Sequence, residues 1–576
     1  MQKDPKQNVA HLIASFIANT KVPRVFGLCG GHILPIWDHL PAMGVDIVDV
    51  RDERAAAHMA HAHAELTGQP GVILVTAGPG VTNAITGIAN AQISRAPVLI
   101  ISGVPPRPQE GMGAMQDLPH TEMLKGITRY ARTVRDANHI LPALREAWAR
   151  ALGEGGVPGP AYLDFPTDLL REPMPALGEE NIGPSPATTK VWPNPESIQR
   201  AVDLLWKAER PLVISGRGAR GGGETLVKLL DALGAVYLDT GESRGLVPEE
   251  HPSVISALRS KAMDQADLVL TLGRRLDFQL AYGSRAVFPH AQFLRVADTT
   301  AELSDNRIGD VSVFGTPQVV LECLLTEAGD RQPATDRAWA EGLREEHLRK
   351  SNAYRERMAT APAGDDGYMH PNRLLACLQD VLRPDAIGIA DGGDILSFAR
   401  VGLSVNTYMD PGALGCLGVG VPFGISAALA FPDRQVVVVS GDGSFGFNAM
   451  EIDTAVRHGA KVVIIVANNG AWNIERYDQQ VTYDGNLVGS ELRHSDYAAM
   501  ARSLGAHGVR VTDPAKLPDA LREAFSKAPA VLDVLVTRDA VSSDGKSGMA
   551  WVPDTQPLEN WDLKEKELRA GLTDRK

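Results

Sequence analysis

Val436-Val437-Val438-Val439-Ser440, then Gly441-Asp442-Gly443-Ser444, a helical segment, Val462-Val463-Ile464-Ile465-Val466 and Asn468-Asn469: this stretch decides the fold. It reads as strand, tight turn, helix, strand. The two apolar runs are continuous rather than alternating, as in a parallel sheet covered on both faces. Glycines at the turn let backbone approach a ligand closely, and a turn that opens a helix favours bound anions. Asp442 and Asn469 are hard oxygen ligands at the ends of two strands that a right-handed crossover makes near neighbours. The implied site is a divalent metal holding a diphosphate.

Two further blocks share this grammar. The first contains Val72-Ile73-Leu74-Val75-Thr76, Ala77-Gly78-Pro79-Gly80, a helix from about Val81, and Pro97-Val98-Leu99-Ile100-Ile101. The second contains Pro211-Leu212-Val213-Ile214-Ser215, Gly216-Arg217-Gly218-Ala219, a helix, and Leu268-Val269-Leu270-Thr271-Leu272-Gly273. Proline-rich sequence from about Glu172 to Glu196 and the run Ala361-Pro362-Ala363-Gly364-Asp365-Asp366-Gly367 suit exposed connectors. The charged stretch from Arg337 to Arg357 reads as a solvated helix. The expected division is 1–185, 190–345 and 365–540, with a tail over 541–576. That tail reads either as a lid over a site or as a simply mobile terminus.

At 576 residues the chain is too long for one core, and length alone suggests about three or four domains. A hydrophobic content of 44% and a charged content of 22% are ordinary for a soluble globular protein. The net charge of −13 argues against nucleic acid as a partner. Cys29, Cys323, Cys377 and Cys416 form neither a zinc spacing nor a disulfide framework, so a cytoplasmic, reducing location is expected. The first residues lack the apolar core of a signal peptide, and no apolar run is long enough to cross a membrane.

Gly-Asp-Gly followed at this separation by Asn-Asn resembles the metal-diphosphate motif of thiamine diphosphate (ThDP) enzymes. The three blocks in this order resemble the pyrimidine-binding, central and diphosphate-binding domains of the acetolactate-synthase-like ThDP superfamily. The resemblance implies an α/β fold of three doubly wound parallel-sheet domains, the central one Rossmann-like. It implies Mg²⁺ ligands at Asp442, Asn469 and the carbonyl of Ala471, with Gly441, Gly443 and Ser444 at the diphosphate and Trp472 and Asn473 beside it. Gly78-Pro79-Gly80-Val81-Thr82-Asn83 resembles the turn beside the pyrimidine, which adds Thr76, Pro79 and Asn83. The segment from Gly415 to Pro422 resembles the one that props the cofactor into its bent shape, with Leu417 at a position often held by methionine. Asp391 lies where the family places another cofactor-flanking turn.

ThDP also needs a carboxylate beside its aminopyrimidine, to drive the shift to the imino form. Val48-Asp49-Val50-Arg51-Asp52-Glu53 ends a short strand where an alanine-rich helix begins, and the family carries its activating acid in such a segment. The resemblance assigns that role to Glu53. Taken alone, Glu53 would read as favourable charge at a helix N-terminus, about 0.3–1 kcal/mol. In the family the two motifs meet across a subunit interface, so a homodimer or homotetramer is expected.

Substrate-facing candidates come from three places. Gly30-Gly31-His32 leaves space above the thiazolium and offers an imidazole, either to the substrate or as a capped turn residue. Gln116 aligns with an amide that faces substrate in the family, and Met115 replaces the usual Phe. Glu491, in the loop from Asp484 to His494, is a candidate for handling a substrate hydroxyl proton, while Trp472 and Tyr477 line an acyl pocket or belong to the core. The pattern most resembles 2-hydroxyacyl-CoA lyases of the actinobacterial type, which release formyl-CoA and a ketone or aldehyde. The alternatives are an acetolactate-synthase-like carboligase, an oxalyl-CoA decarboxylase, and an inactive ThDP-binding subunit. In the central block, Gly218, Ala219, Arg274 and Asp298 are candidates for holding ADP in preference to FAD, with an empty fold as the other reading.

Overall fold

In a computed structural model, which describes residues 7–154, 156–175, 182–184, 190–546 and 553–573, each apolar-strand block becomes a parallel sheet. The first has six strands in the spatial order Asp46–Asp49, Arg24–Gly27, Gly71–Val75, Val98–Val104, Pro160–Pro166 and Tyr130–Thr133. The second has five: Val311–Phe314, Gln292–Ala297, Leu268–Leu272, Pro211–Ser215 and Val236–Leu238. The third repeats the strand order of the first with Thr407–Met409, Ile387–Asp391, Val436–Gly441, Val462–Asn468, Ala530–Leu535 and His507–Val511. Central strands such as Gly71–Val75, Leu268–Leu272 and Val462–Asn468 are buried along their whole length, because helices cover both faces.

The order in which the chain adds strands reverses near the middle of each sheet. The reversal lies between Arg24–Gly27 and Gly71–Val75, between Pro211–Ser215 and Leu268–Leu272, and between Ile387–Asp391 and Val436–Gly441. In open parallel sheets the crevice beyond the carboxyl ends at such a point is the usual ligand position. The turns singled out in the sequence all lie at these three points.

The helix Glu53–Thr67 joins the outer two domains. Asp52 caps it by accepting from Arg54 N at 2.8 Å, and Gly68 ends it at φ +73°. Its alanines allow close packing: a Cβ on Gly87 of the facing helix Pro79–Ile93 would sit 2.4 Å from that of Ala57. Its other side meets the helix Gly420–Ala430, where Ser426 Oγ donates to the Met59 carbonyl at 2.8 Å. One continuous core therefore runs through both domains.

The charged stretch forms the helix Arg337–Ala359, which buries Leu343, His347 and Met358, and its Arg344 donates to the carbonyls of Val254 and Glu250. One face is thus packed rather than solvated. Beyond the third sheet, Ser542 N donates to Asp394 Oδ1 at 2.8 Å, and Ser543–Lys546 makes a helical turn. The helix Glu559–Thr573 then returns to the central domain, with Trp561 against its core and Glu565 accepting from Ser284. Residues 176–181 and 185–189 of the expected connector and 547–552 of the tail lie outside the described residues. Among the described residues all four cysteines are free thiols, and no helix is long and apolar enough to cross a membrane.

Candidate functional site

At the switch point of the third sheet the structure brings together Asp442, Gly443, Ser444, Asn469, Ala471, Trp472, Asn473 and Leu417 around one cavity. Asp442 opens the helix Asp442–Asn448, is buried, and has no partner for Oδ2. Burial pushes its carboxyl up to about 7, against the pull of backbone N–H groups at Asn469, Gly470 and Gly443. An unpartnered buried acid oxygen beside an amide oxygen and a backbone carbonyl is a hard donor set, which fits Mg²⁺ shared with phosphate. A Cβ on Gly443 would lie 2.4 Å from Trp472 Cζ3, so only glycine fits under the indole.

The two adjacent asparagines have separate jobs. Asn468 is fully buried and donates to Asp533 Oδ1 at 2.8 Å and to the Ser495 carbonyl at 3.0 Å. Asn469 faces the cavity, and its Oδ1 accepts from Ala471 N at 3.0 Å. The loop after it is pinned by Trp472 N donating to the Ser490 carbonyl and by a bridge between Ala471 and Glu491. The Glu491 side chain lies near Arg538, at 3.2 Å, and Arg476, at 3.8 Å.

Asp391, just before the lining residue Gly392, is fully buried. Its two oxygens accept from Gly418 N at 3.2 Å and Gly420 N at 2.9 Å, and burial pushes its carboxyl up to about 6. It thereby fixes the segment carrying Leu417, while Gly415 occupies an exposed turn at φ +68°. Asp394, the last residue of the same cofactor-flanking turn Asp391-Gly392-Gly393-Asp394, lines the cavity. It accepts from Asn473 Nδ2 at 3.0 Å and from Ser542 N, so it ties the Asn469–Asn473 loop to the start of the tail. Those partners are remote in sequence, and no local pattern could have found them.

Every residue lining this cavity belongs to the segment 371–536. Glu53 lies elsewhere, at the switch point of the first domain. It is buried, and its Oε2 accepts from Asn83 Nδ2 at 3.0 Å. Pro79 starts the helix Pro79–Ile93 that carries Asn83. Thr76 Oγ1 lies 3.3 Å from His32 Nδ1 and 3.5 Å from Gln116 Oε1, so the structure gathers these three polar groups. Burial lowers the His32 pKa, leaving the ring neutral at pH 7, and Gly31 beside it is exposed with open space where a Cβ would be. One chain therefore presents two half-sites. Exposed apolar side chains flank each: Leu34, Met112 and Met115 near the first, Leu414, Phe447 and Met450 near the second.

A cleft of about 1010 Å³ lies between the central domain, the helix Arg337–Ala359, the third domain and the tail. Arg244, Arg259, Lys350, Arg355, Arg357 and Arg400 line it. Arg244 stacks on Tyr408 with its guanidinium 4.4 Å from the ring centre, Arg259 donates to the Gln279 carbonyl, and Arg357 lies over Tyr354. Leu558 and Trp561 of the tail form part of the wall. The helix Asp394–Gly402 connects the two spaces, with Asp394 in the small cavity and Ser397 and Arg400 in the large cleft.

At the central switch point, Gly218 N donates to the Gly273 carbonyl at 3.0 Å, which brings Gly218 and Ala219 against Gly273, while Gly216 packs on Arg274. Arg274 is buried and donates to Asp277 and Gln279, while Asp298 is exposed after the neighbouring strand. Arg217 and Arg220 reach across to Glu65 of the first domain at 2.7 and 3.1 Å.

Family profiles match the chain in three places. One described as "Thiamine pyrophosphate enzyme, N-terminal TPP binding domain" covers residues 7–123, the "central domain" covers 198–324, and the "C-terminal TPP binding domain" covers 395–534. The chain is 33% identical over 560 residues to a protein of Mycobacterium bovis named "Probable acetolactate synthase", covering 94% of this chain and 98% of that one. It is 32% identical to "2-hydroxyacyl-CoA lyase 2" of Caenorhabditis elegans, over 91% of this chain and 88% of that one. Its identity to the Homo sapiens protein of the same name is 30%, over 93% and 92% of the two chains.

Proposed function

The chain belongs to the thiamine pyrophosphate enzymes, and from that premise we propose that it is a ThDP- and Mg²⁺-dependent carbon–carbon lyase cleaving a 2-hydroxyacyl-CoA to formyl-CoA and a ketone or aldehyde. The observation that carries this choice of substrate is the cleft of about 1010 Å³, whose wall sets six cationic side chains beside the carboxylates of Asp239, Glu249, Asp380, Asp410 and Asp544. It adjoins the diphosphate cavity through the helix Asp394–Gly402 and has room for a CoA nucleotide, whose phosphates would face Arg259 and Arg357 rather than Arg244, Arg355 and Arg400, which pair with Asp239, Glu249 and Asp410. A small keto acid would need no such annex.

The chemistry that bound ThDP supplies is a nucleophilic carbon and an electron sink. In this reading Asp442, Asn469 and the Ala471 carbonyl would hold Mg²⁺. Glu53, from the partner chain, would present its carboxyl to the aminopyrimidine of the bound cofactor, and Asn83 orients that carboxyl. Gln116 and the neutral His32 orient the thioester carbonyl. Glu491, released from its arginines, takes the proton of the substrate hydroxyl as the carbon–carbon bond breaks. The tail, anchored at both ends of its described part, closes over CoA. Pairing of two chains completes each site and covers the apolar side chains around both halves. The free cysteines suit the reducing cytoplasm in which we place the enzyme. ADP is the ligand proposed for the central switch point, where Gly218 and Gly273 bring two turns together.

The test is incubation with 2-hydroxyacyl-CoAs, pyruvate and oxalyl-CoA, with and without ThDP and Mg²⁺, reading products by mass spectrometry. Formyl-CoA with a ketone or aldehyde is the expected result, and heating should release ADP. Acetolactate from pyruvate with bound flavin, or carbon dioxide from oxalyl-CoA, would overturn the substrate assignment.

A further inference from the structure

His120 sits behind the turn that carries Thr76, Gly78 and Pro79, and none of the roles above uses it. It is buried at the start of the short helix His120–Leu124, and its Nε2 accepts from Gly78 N at 2.9 Å. Gly78 holds a left-handed conformation, φ +60° and ψ −112°, just before the helix Pro79–Ile93. A backbone N–H only donates, so Nε2 must be the nitrogen with the lone pair and Nδ1 the one with the proton. Nδ1 faces Asp164 Oδ2 at 3.4 Å, and the same oxygen accepts from Tyr162 OH at 2.9 Å. All three side chains are buried.

Four residues before His120 stands Gln116, also left-handed at φ +63°. It lies against the Gly78 turn, where an added Cβ would come within 2.9 Å of Gln116 Cβ. One imidazole thus ties two loops, beside the contact of Thr76 Oγ1 with Gln116 Oε1: the turn after Gly71–Val75 and the loop carrying Gln116. We propose that His120, steadied by Asp164 and Tyr162, is a positioning residue that locks the Gly78 peptide and with it the Thr76–Gln116–His32 face offered to the substrate. Its consequence for turnover rests on the lyase reading above; the locking itself does not.

Two variants and two readouts test this in the full-length protein with ThDP and Mg²⁺. His120→Gln keeps an acceptor for Gly78 N–H and a donor for Asp164, whereas His120→Ala removes both. In H120A, amide hydrogen exchange over residues 76–82 and 114–119 should quicken by about tenfold or more, while other segments keep wild-type protection. Its kcat on a 2-hydroxyacyl-CoA should fall by about tenfold or more with cofactor affinity nearly unchanged, and H120Q should recover both exchange and at least about a third of kcat. Unchanged exchange in H120A, or a folded H120Q with wild-type cofactor affinity and less than about a tenth of wild-type kcat, would overturn the proposal. Should H120A not fold, H120Q decides alone by the same criteria. Wild-type protein that turns over no 2-hydroxyacyl-CoA, with the exchange result still as expected, would refute the substrate assignment and leave the positioning role standing.

Discussion

The first and third domains share one strand order, yet they put their chemistry at different points of it. In the third, the turns after Ile387–Asp391 and Val436–Gly441 both line the cavity, and the acid is the first helical residue of the second turn, Asp442. The matching turn of the first domain is Gly78-Pro79-Gly80, which carries no acid and gives its N–H to His120. There the acid is Glu53, from the helix that follows the edge strand Asp46–Asp49. The equivalent edge strand of the third domain, Thr407–Met409, is followed by Asp410, which is spent on Arg400 at 2.9 Å. The scaffold supplies a crevice in each case, and a few turn residues decide whether it carries the buried, unpartnered acid Asp442 or the carboxyl of Glu53 held by Asn83.

Breaking either half should abolish turnover by a different route. Glu53→Gln should lower kcat by about 10²–10⁴-fold while ThDP and Mg²⁺ still bind, because it removes proton exchange and little else. Asp442→Asn should instead lose metal and cofactor binding together, and chelation of Mg²⁺ from the wild type should do the same. Calorimetric titration beside turnover separates the two; equal cofactor losses in both variants would erase the contrast.

A smaller effect distinguishes the glycines of the two halves. Gly443→Ala drives a methyl group into Trp472 and should weaken cofactor binding by about tenfold or more. Gly31→Ala meets open space and should change stability by no more than about 0.5 kcal/mol, read from chemical unfolding. A G443A protein with wild-type cofactor affinity would contradict the packing described here.

A pH-dependent effect concerns Glu451, where the two domains touch. Its carboxyl, from the third domain, accepts from Arg51 N at 3.0 Å and Asp52 N at 3.1 Å, the two residues before Glu53, and from Thr454 Oγ1 at 2.6 Å. Burial pushes it up to about 7, whereas an unfolded glutamate titrates near 4.3. Between those values the native state keeps a proton that the unfolded chain has released. Its stability should therefore decline as pH rises through that window, by at most about 4 kcal/mol. Glu451→Gln should flatten this slope in urea unfolding; an unchanged slope would assign it to other groups.

Three doubly wound sheets were legible in the sequence because fully buried parallel strands must read as continuous apolar runs, as Val436–Val439 and Val462–Val466 do. Asp442 and Asn469 were legible for a related reason: strand ends at fixed separation leave few places for a polar side chain to point. What escaped depends on partners distant along the chain. Asp394 meets Ser542, Glu451 meets Arg51, and His120 meets Gly78 and Asp164 only once the domains have packed. Asp391 shows the same limit from the other side, since its place in a cofactor-flanking turn said nothing about the two N–H groups that hold it.

The central claim is that Glu53 of one chain serves the metal site of another. Mixing E53Q with D442N chains after reversible dissociation tests it directly. If sites form between chains, random pairing makes about half the dimers mixed, each with one intact site, and about a quarter of wild-type activity should return from two inactive parents. No recovery, in mixtures shown by mass spectrometry to contain mixed dimers, would place Glu53 and Asp442 of each site on the same chain and contradict the account.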